Sequence, residues 1–148
     1  MRNNAAPAVH PDAWVDMTRA YVTEAVQSLC DGGLTVTRSW LDPRNPRDAT
    51  IIFADPASNV SAAELALVWD EVAGWRRGGF QSGRQGERTV LSDVSHLGGG
   101  VLPTGREMTG RLLAGISAPD CAYRSVTDLR DGLDDVLQAY SGTMRGQN

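Results

Sequence analysis

The segment Leu65–Phe80, LALVWDEVAGWRRGGF, constrains the fold more than any other. An apolar run closes on Trp69-Asp70, a polar turn holding Gly74 follows, and Trp75-Arg76-Arg77 opens the return. Two apolar stretches joined by a short glycine-bearing turn are the wording of a β-hairpin, so an antiparallel sheet is expected at this point. No catalytic signature accompanies it.

On either side the pattern changes. Trp14, Met17, Tyr21, Val22, Ala25, Val26 and Leu29 fall three or four apart and predict one helix, capped by Asp12 and closed by Asp31-Gly32-Gly33. Leu34–Leu41 alternates, which puts Leu34, Val36 and Trp40 on one side of a strand and Thr35, Thr37 and Ser39 on the other. Ala49–Ala54 reads as a short buried strand closed by Asp55-Pro56. Ser61 and Glu64 have the spacing of a capping box, but Leu65–Trp69 is short and the turn follows at once, which favours a strand. Gly78 and Gly79 predict a bulge or a strong twist, SGRQGER a flexible loop, and Thr89–Val94 a further strand. Thr104 and Glu107 form a T-x-x-E box that should start a helix near Gly105 and carry it to about Ala114. Ser125 is the expected cap of a last helix, with Val126, Leu129, Leu133, Val136, Leu137 and Tyr140 on one face.

A chain of 148 residues is one domain by default. Consecutive strands need short antiparallel connections, so the predicted fold is α+β. It is an antiparallel sheet of four to five strands with an N-terminal helix and two C-terminal helices packed on one face. Residues 1–11 read as a flexible arm, 12–140 as the domain and 141–148 as a flexible tail.

Composition excludes several chemistries. All 14 basic residues are arginine, so a Schiff base, a Walker lysine and a Ser-x-x-Lys nucleophile are impossible. A net charge of −4 argues against general nucleic-acid binding, which depends on neutralising phosphates. Cys30 and Cys121 have no metal-ligand spacing; they read as reduced thiols or as one disulfide joining the end of the first helix to the region before the last. No stretch approaches the roughly 20 apolar residues of a membrane span, and MRNNAAPAVHP lacks a signal-peptide core, so a cytoplasmic location is expected.

Four groups of residues are candidate sites. His96 precedes Gly98, Gly99 and Gly100 and a helix start; such a loop can hold an anion on its N–H groups with His96 as acid or base, or be a plain turn beside a surface imidazole. Arg76, Arg77, Arg84 and Arg88 form a local basic patch that either grips phosphate or carboxylate or solvates a strand face. Trp69 and Trp75 are either a stacking platform or core. Asp70-Glu71 read as turn residues, and Asp131, Asp134 and Asp135 as a solvated acidic helix face rather than a magnesium site.

YVTEAVQSL, the strand holding Trp40, ALVWDEVAGW and HLGGGVLPTGREM together resemble the actinobacterial domain of unknown function DUF6292, in which a "WDE…GW" hairpin is paired with a "LG…VLP" segment entering a helix. The likeness runs from Tyr21 to Leu113. It implies a small actinobacterial cytosolic protein with no assigned activity, and no functional residue carries over. The stretch Arg76–Arg88 matches nothing in that pattern.

The expected function is that of a noncatalytic interaction domain presenting Trp75, Arg76, Arg77 and the glycine loop to a protein partner or a second copy. The alternatives are a binding site or active site for an anionic small molecule where His96 and the arginine hairpin meet, and a nucleic-acid accessory acting through Arg76–Arg88. No cofactor or metal is expected. A pocket in which His96 converges with Arg76, Arg77 or Arg88 would favour the small-molecule site.

Overall fold

Five strands form one sheet in the order β1-β2-β3-β4-β5, every neighbour antiparallel. They are β1 (Thr35–Asp42), β2 (Asp48–Ala54), β3 (Leu65–Asp70), β4 (Gly74–Arg84) and β5 (Glu87–His96). The helices are α1 (Ala13–Asp16), α2 (Arg19–Asp31), α3 (Gly105–Leu113) and α4 (Leu133–Gly146). The computed structural model describes residues 5–42, 46–54, 64–119, 122–123 and 132–146, with side chains as far as Tyr140 in α4. Asp55, Pro56, Ser61, Cys121, Ser125, Val126, Leu129 and Asp131 lie outside the described residues.

The first helix is two. Asp12 caps α1 by accepting from the Trp14 N–H at 2.9 Å. The buried Thr18 hydroxyl donates to the Val15 carbonyl at 2.8 Å, a local bond that competes with the helix and separates α1 from α2. α2 buries Tyr21, Val22, Ala25, Val26 and Leu29. It closes in a Schellman turn: Gly33, at φ +93°, donates to Cys30 O and Leu34 to Leu29 O. The capping box predicted at Thr104 and Glu107 is present at the start of α3. Residues 5–11, expected as an arm, include a buried Pro7, and the Ser39 hydroxyl donates to Ala5 O.

The helices lie on one face of the sheet, as expected, and with it enclose the main core of Tyr21, Val26, Ile51, Leu67, Trp69 and Trp75, among others. The opposite face carries no helix among the described residues, yet Ile52, Ala66 and Val68 are at most 1% exposed there. Curling of the sheet explains this. Register shifts at Arg77/Gly79, Phe80/Ser82 and Ser82/Arg84 add residues to the β4–β5 ladder and bend it. A Cβ on Gly78 would stand 2.6 Å from Ser92 O, so only glycine permits the approach. β5 is thereby brought over the concave face, where the Thr89 and Thr50 hydroxyls meet at 2.7 Å. Trp40, Ile52 and Ala66, with Phe80 and Leu91, form a second small core inside the curl.

Three expectations are corrected. A bulge between Val36 and Arg38 inverts the later part of β1, so Val36 packs against the helix-side core and Trp40 joins the second core on the other face. SGRQGER is not a loop: β4 runs to Arg84, turns at Gln85-Gly86 and continues as β5 from Glu87. α4 extends to Gly146, and Val136 is 47% exposed while Leu133 and Leu137 face the core. No helix among the described residues is long and apolar enough to cross a membrane.

Candidate functional site

The hairpin tryptophans face each other across β3 and β4, and both are buried, at 0% and 1% exposure. Their indole N–H groups are committed: Trp69 Nε1 donates to Val101 O at 2.7 Å and Trp75 Nε1 to the Tyr21 hydroxyl at 3.0 Å. Tyr21 in turn donates to Pro103 O. Burial pushes the Tyr21 phenol far above its usual range, which keeps it a neutral donor. The hairpin thus anchors the 97–103 segment and offers no aromatic platform, and Trp75 as it stands presents no ring to a partner. Tyr21→Phe leaves Pro103 O and the Trp75 N–H without this partner and is expected to cost about 1–3 kcal/mol in urea unfolding; a change below a few tenths would show that water replaces the hydroxyl.

The glycine loop is likewise structural. Gly98, Gly99 and Gly100 all have positive φ, and Gly98 and Gly99 lie against the Arg111 side chain, whose Nε donates to Leu97 O at 2.8 Å. The N-terminus of α3 is filled from within the chain: Gly105 N donates to Glu24 Oε1, and Glu107 N to Thr104 Oγ1. A cavity of about 320 Å3 beside Gly99 is lined by Arg111 and Glu107, which these bonds already engage. The anion cradle expected at this loop is therefore occupied by the protein itself.

His96 is the last residue of β5, not a loop residue. It stands opposite Arg76 on the concave face, and its carbonyl accepts from Ala118 N at 2.7 Å. Arg76 binds Asp70 Oδ2 at 2.7 Å, and Asp70 Oδ1 closes the hairpin turn through Val72 N and Ala73 N. Asp42, Asp48 and Asp70 lie in register across β1, β2 and β3. Asp48, 6% exposed, is raised to about 7, first by burial and next by Asp42, against the pull of Arg76 and Arg88.

The four arginines do not form one patch. Strand alternation sends Arg76 and Arg77 to opposite faces. Arg84 pairs with Glu87 at 2.9 Å at the exposed hairpin tip, and Arg88 is exposed beyond it.

Arg77 alone lines a sizeable pocket. It measures about 610 Å3 and lies between the helix-side face of the sheet and α3. Leu34, Phe53 and Leu112 give it a buried apolar floor, and Leu65 and Leu113, 37% and 53% exposed, flank it. Arg77, Ser92, Asp93 and Ser95 supply its polar side. The Arg77 side chain makes no hydrogen bond or ion pair with any described residue. His96 does not line this pocket, so the convergence that would have joined it to Arg77 is not formed. Asp93 and Ser95 escape sequence reading because Thr89–Val94 looks like a regular strand. Gly78 and Gly79 flag the bulge across the ladder, and only aspartate's tolerance for the left-handed conformation points to Asp93 within it.

These features define an α+β domain with a ligand-sized, mainly apolar pocket whose charged lining groups are an arginine and an aspartate. Residues 21–113 match the family of unknown function DUF6292, and the chain belongs to that family. No curated protein and no solved structure matches it. The matched span holds the whole sheet, α2 from Tyr21 onward and α3, and therefore nearly the entire pocket lining.

Proposed function

We propose that the protein is a noncatalytic binding domain, acting in the cytoplasm of an actinobacterium, whose ligand is a small molecule with an apolar body and an acidic group. The observation that carries this is the pocket of about 610 Å3 with an apolar floor and one arginine lacking a partner among the described residues. Pockets of roughly 300–1,000 Å3 with few, placed polar groups are the usual form of small-molecule sites. A guanidinium stays charged and presents paired donors to a carboxylate or phosphate, so Arg77 binds an anion but cannot shuttle a proton.

Thermal-shift and calorimetric titrations with octanoate, octanol and octylamine test this reading. Octanoate is expected to raise the melting point by about 5–10 °C at a hundredfold excess over Kd. Arg77→Gln should weaken octanoate about tenfold or more and leave octanol unchanged. Equal affinity for all three probes, or for none, would defeat it. The exposed Leu65 and Leu113 beside the pocket favour a second reading, in which a protein partner or another copy of this chain seats a side chain there. A monomer by light scattering across a wide concentration range would remove self-association.

A further inference from the structure

The pocket is charged twice. Arg77 and Asp93 both line it, and neither side chain makes a hydrogen bond or ion pair with the other or with any other described residue. Elsewhere on the same hairpin opposite charges do close: Arg76 on Asp70 at 2.7 Å and Arg84 on Glu87 at 2.9 Å. Arg77 pairs in register with Ser95 and Gly79 with Ser92, so Asp93 sits in the bulge that separates these two pairs. It is the one non-glycine among the described residues with positive φ, at +52°. A left-handed backbone is costly for most side chains and tolerable for aspartate and asparagine. The bulge places this exposed residue on the lining of the same pocket as Arg77.

From this we infer that the ligand of the pocket is a zwitterion with an apolar body, an α-amino acid with a large apolar side chain being the simplest case. The inference rests on the binding function proposed above and specifies its ligand. Carboxylate on Arg77 and ammonium on Asp93 satisfy both free charges at one end of the pocket. Ser92 and Ser95 line the same pocket, Ser92 Oγ already accepting from Gln81 Nε2 at 3.1 Å, and the ligand's side chain is directed at Leu34, Phe53 and Leu112. A plain fatty acid would satisfy Arg77 but gain nothing from Asp93, whose exposed carboxylate would meet only a second negative charge, so it should bind less tightly than the zwitterion.

The test is calorimetric titration of the full chain with L-phenylalanine, N-acetyl-L-phenylalanine and L-phenylalanine amide, alongside octanoate. L-phenylalanine should bind about tenfold or more tightly than either blocked form. Asp93→Asn keeps the backbone conformation and should abolish discrimination against the acetylated form, while Arg77→Gln abolishes discrimination against the amide. The comparison within the unmodified protein stands even if a variant folds poorly. Acetylated and free phenylalanine binding equally would overturn the inference and leave the acidic-ligand reading intact, as would octanoate binding while L-phenylalanine does not. Binding of none of the four would end both.

Discussion

Glu71→Gln is expected to lower the unfolding free energy by about 3–5 kcal/mol, a third or more of what a domain of this size possesses. Glu71 is the partner of Arg47, whose side chain is 1% exposed. The pair is bidentate: Arg47 Nε reaches Glu71 Oε2 at 3.1 Å and Nη2 reaches Oε1 at 3.0 Å. The Arg47 N–H donates to the same carboxylate at 2.5 Å. Nη1 donates to Trp14 O at 2.9 Å, Nη2 to Asp134 Oδ1 at 2.6 Å, and the guanidinium lies 4.4 Å from the Trp14 ring centroid. One cation thus ties α1, the start of β2, the β3–β4 turn and α4 together. Neutralising Glu71 leaves that cation out of water with a single carboxylate, which is why the loss is large. Asp134→Asn should cost about 1 kcal/mol or less, because that carboxylate is 38% exposed. Arg47→Met combined with Glu71→Leu should cost well under the sum of the two single changes, since the double variant buries no lone charge. Urea unfolding of the set gives these values directly, and a Glu71→Gln midpoint indistinguishable from the parent would show that the network contributes nothing.

What was legible in the sequence, and what was not, follows from the range of the interactions. Period and turn chemistry are local, so the Trp69–Trp75 hairpin, the α3 capping box and the all-antiparallel order of strands could be read from spacing alone. Bulges are single-residue events that spacing marks poorly: nothing flagged the one at Val36/Arg38 that sent Trp40 to the opposite face, and Gly78-Gly79 flagged the one at Arg77/Gly79 without revealing the place of Asp93 in it. Arg47 sits in the turn-rich stretch DPRNPRD, and its burial depends on partners 24 and 87 residues away. For the same reason Glu71 was legible as a turn residue but not as the buried partner of Arg47, and Asp134 looked like part of a solvated face. Arg77 was legible as a candidate, but alternation alone could not separate it from Arg76, whose charge is used to hold the hairpin. His96 and Gly98–Gly100 carried the vocabulary of an anion site, and only the position of Arg111 and Glu24 reveals that the chain fills it.

Asp48 should make the protein less stable as pH rises from about 4 to about 7. Its carboxyl is displaced upward from 3.8 to about 7 in the folded state. The cause is its place in the sheet: it is buried on the concave face, in register between Asp42 and Asp70, and the attraction of Arg76 and Arg88 does not offset the desolvation. Since the folded form holds this proton more tightly than the unfolded chain, folding is favoured while the group is protonated. That contribution is fully present below the unfolded value near 4, declines as pH rises, and is gone once pH passes about 7. At about 1.4 kcal/mol per pH unit the interval corresponds to roughly 4 kcal/mol. Asp48→Asn keeps the shape and removes the ionisation. The variant should therefore resemble the parent at pH 4 and exceed it by up to roughly 4 kcal/mol at pH 8.5, with the difference opening between these limits. Urea midpoints of both proteins at pH 4, 6, 7 and 8.5 measure it, and the subtraction cancels every other group that titrates in the range. Parallel pH profiles would mean that Asp48 ionises in the fold at no cost, so that Arg76 and Arg88 balance its burial in full; a variant weaker than the parent at pH 8.5 would mean that the ionised carboxylate is held by those arginines as a favourable partner.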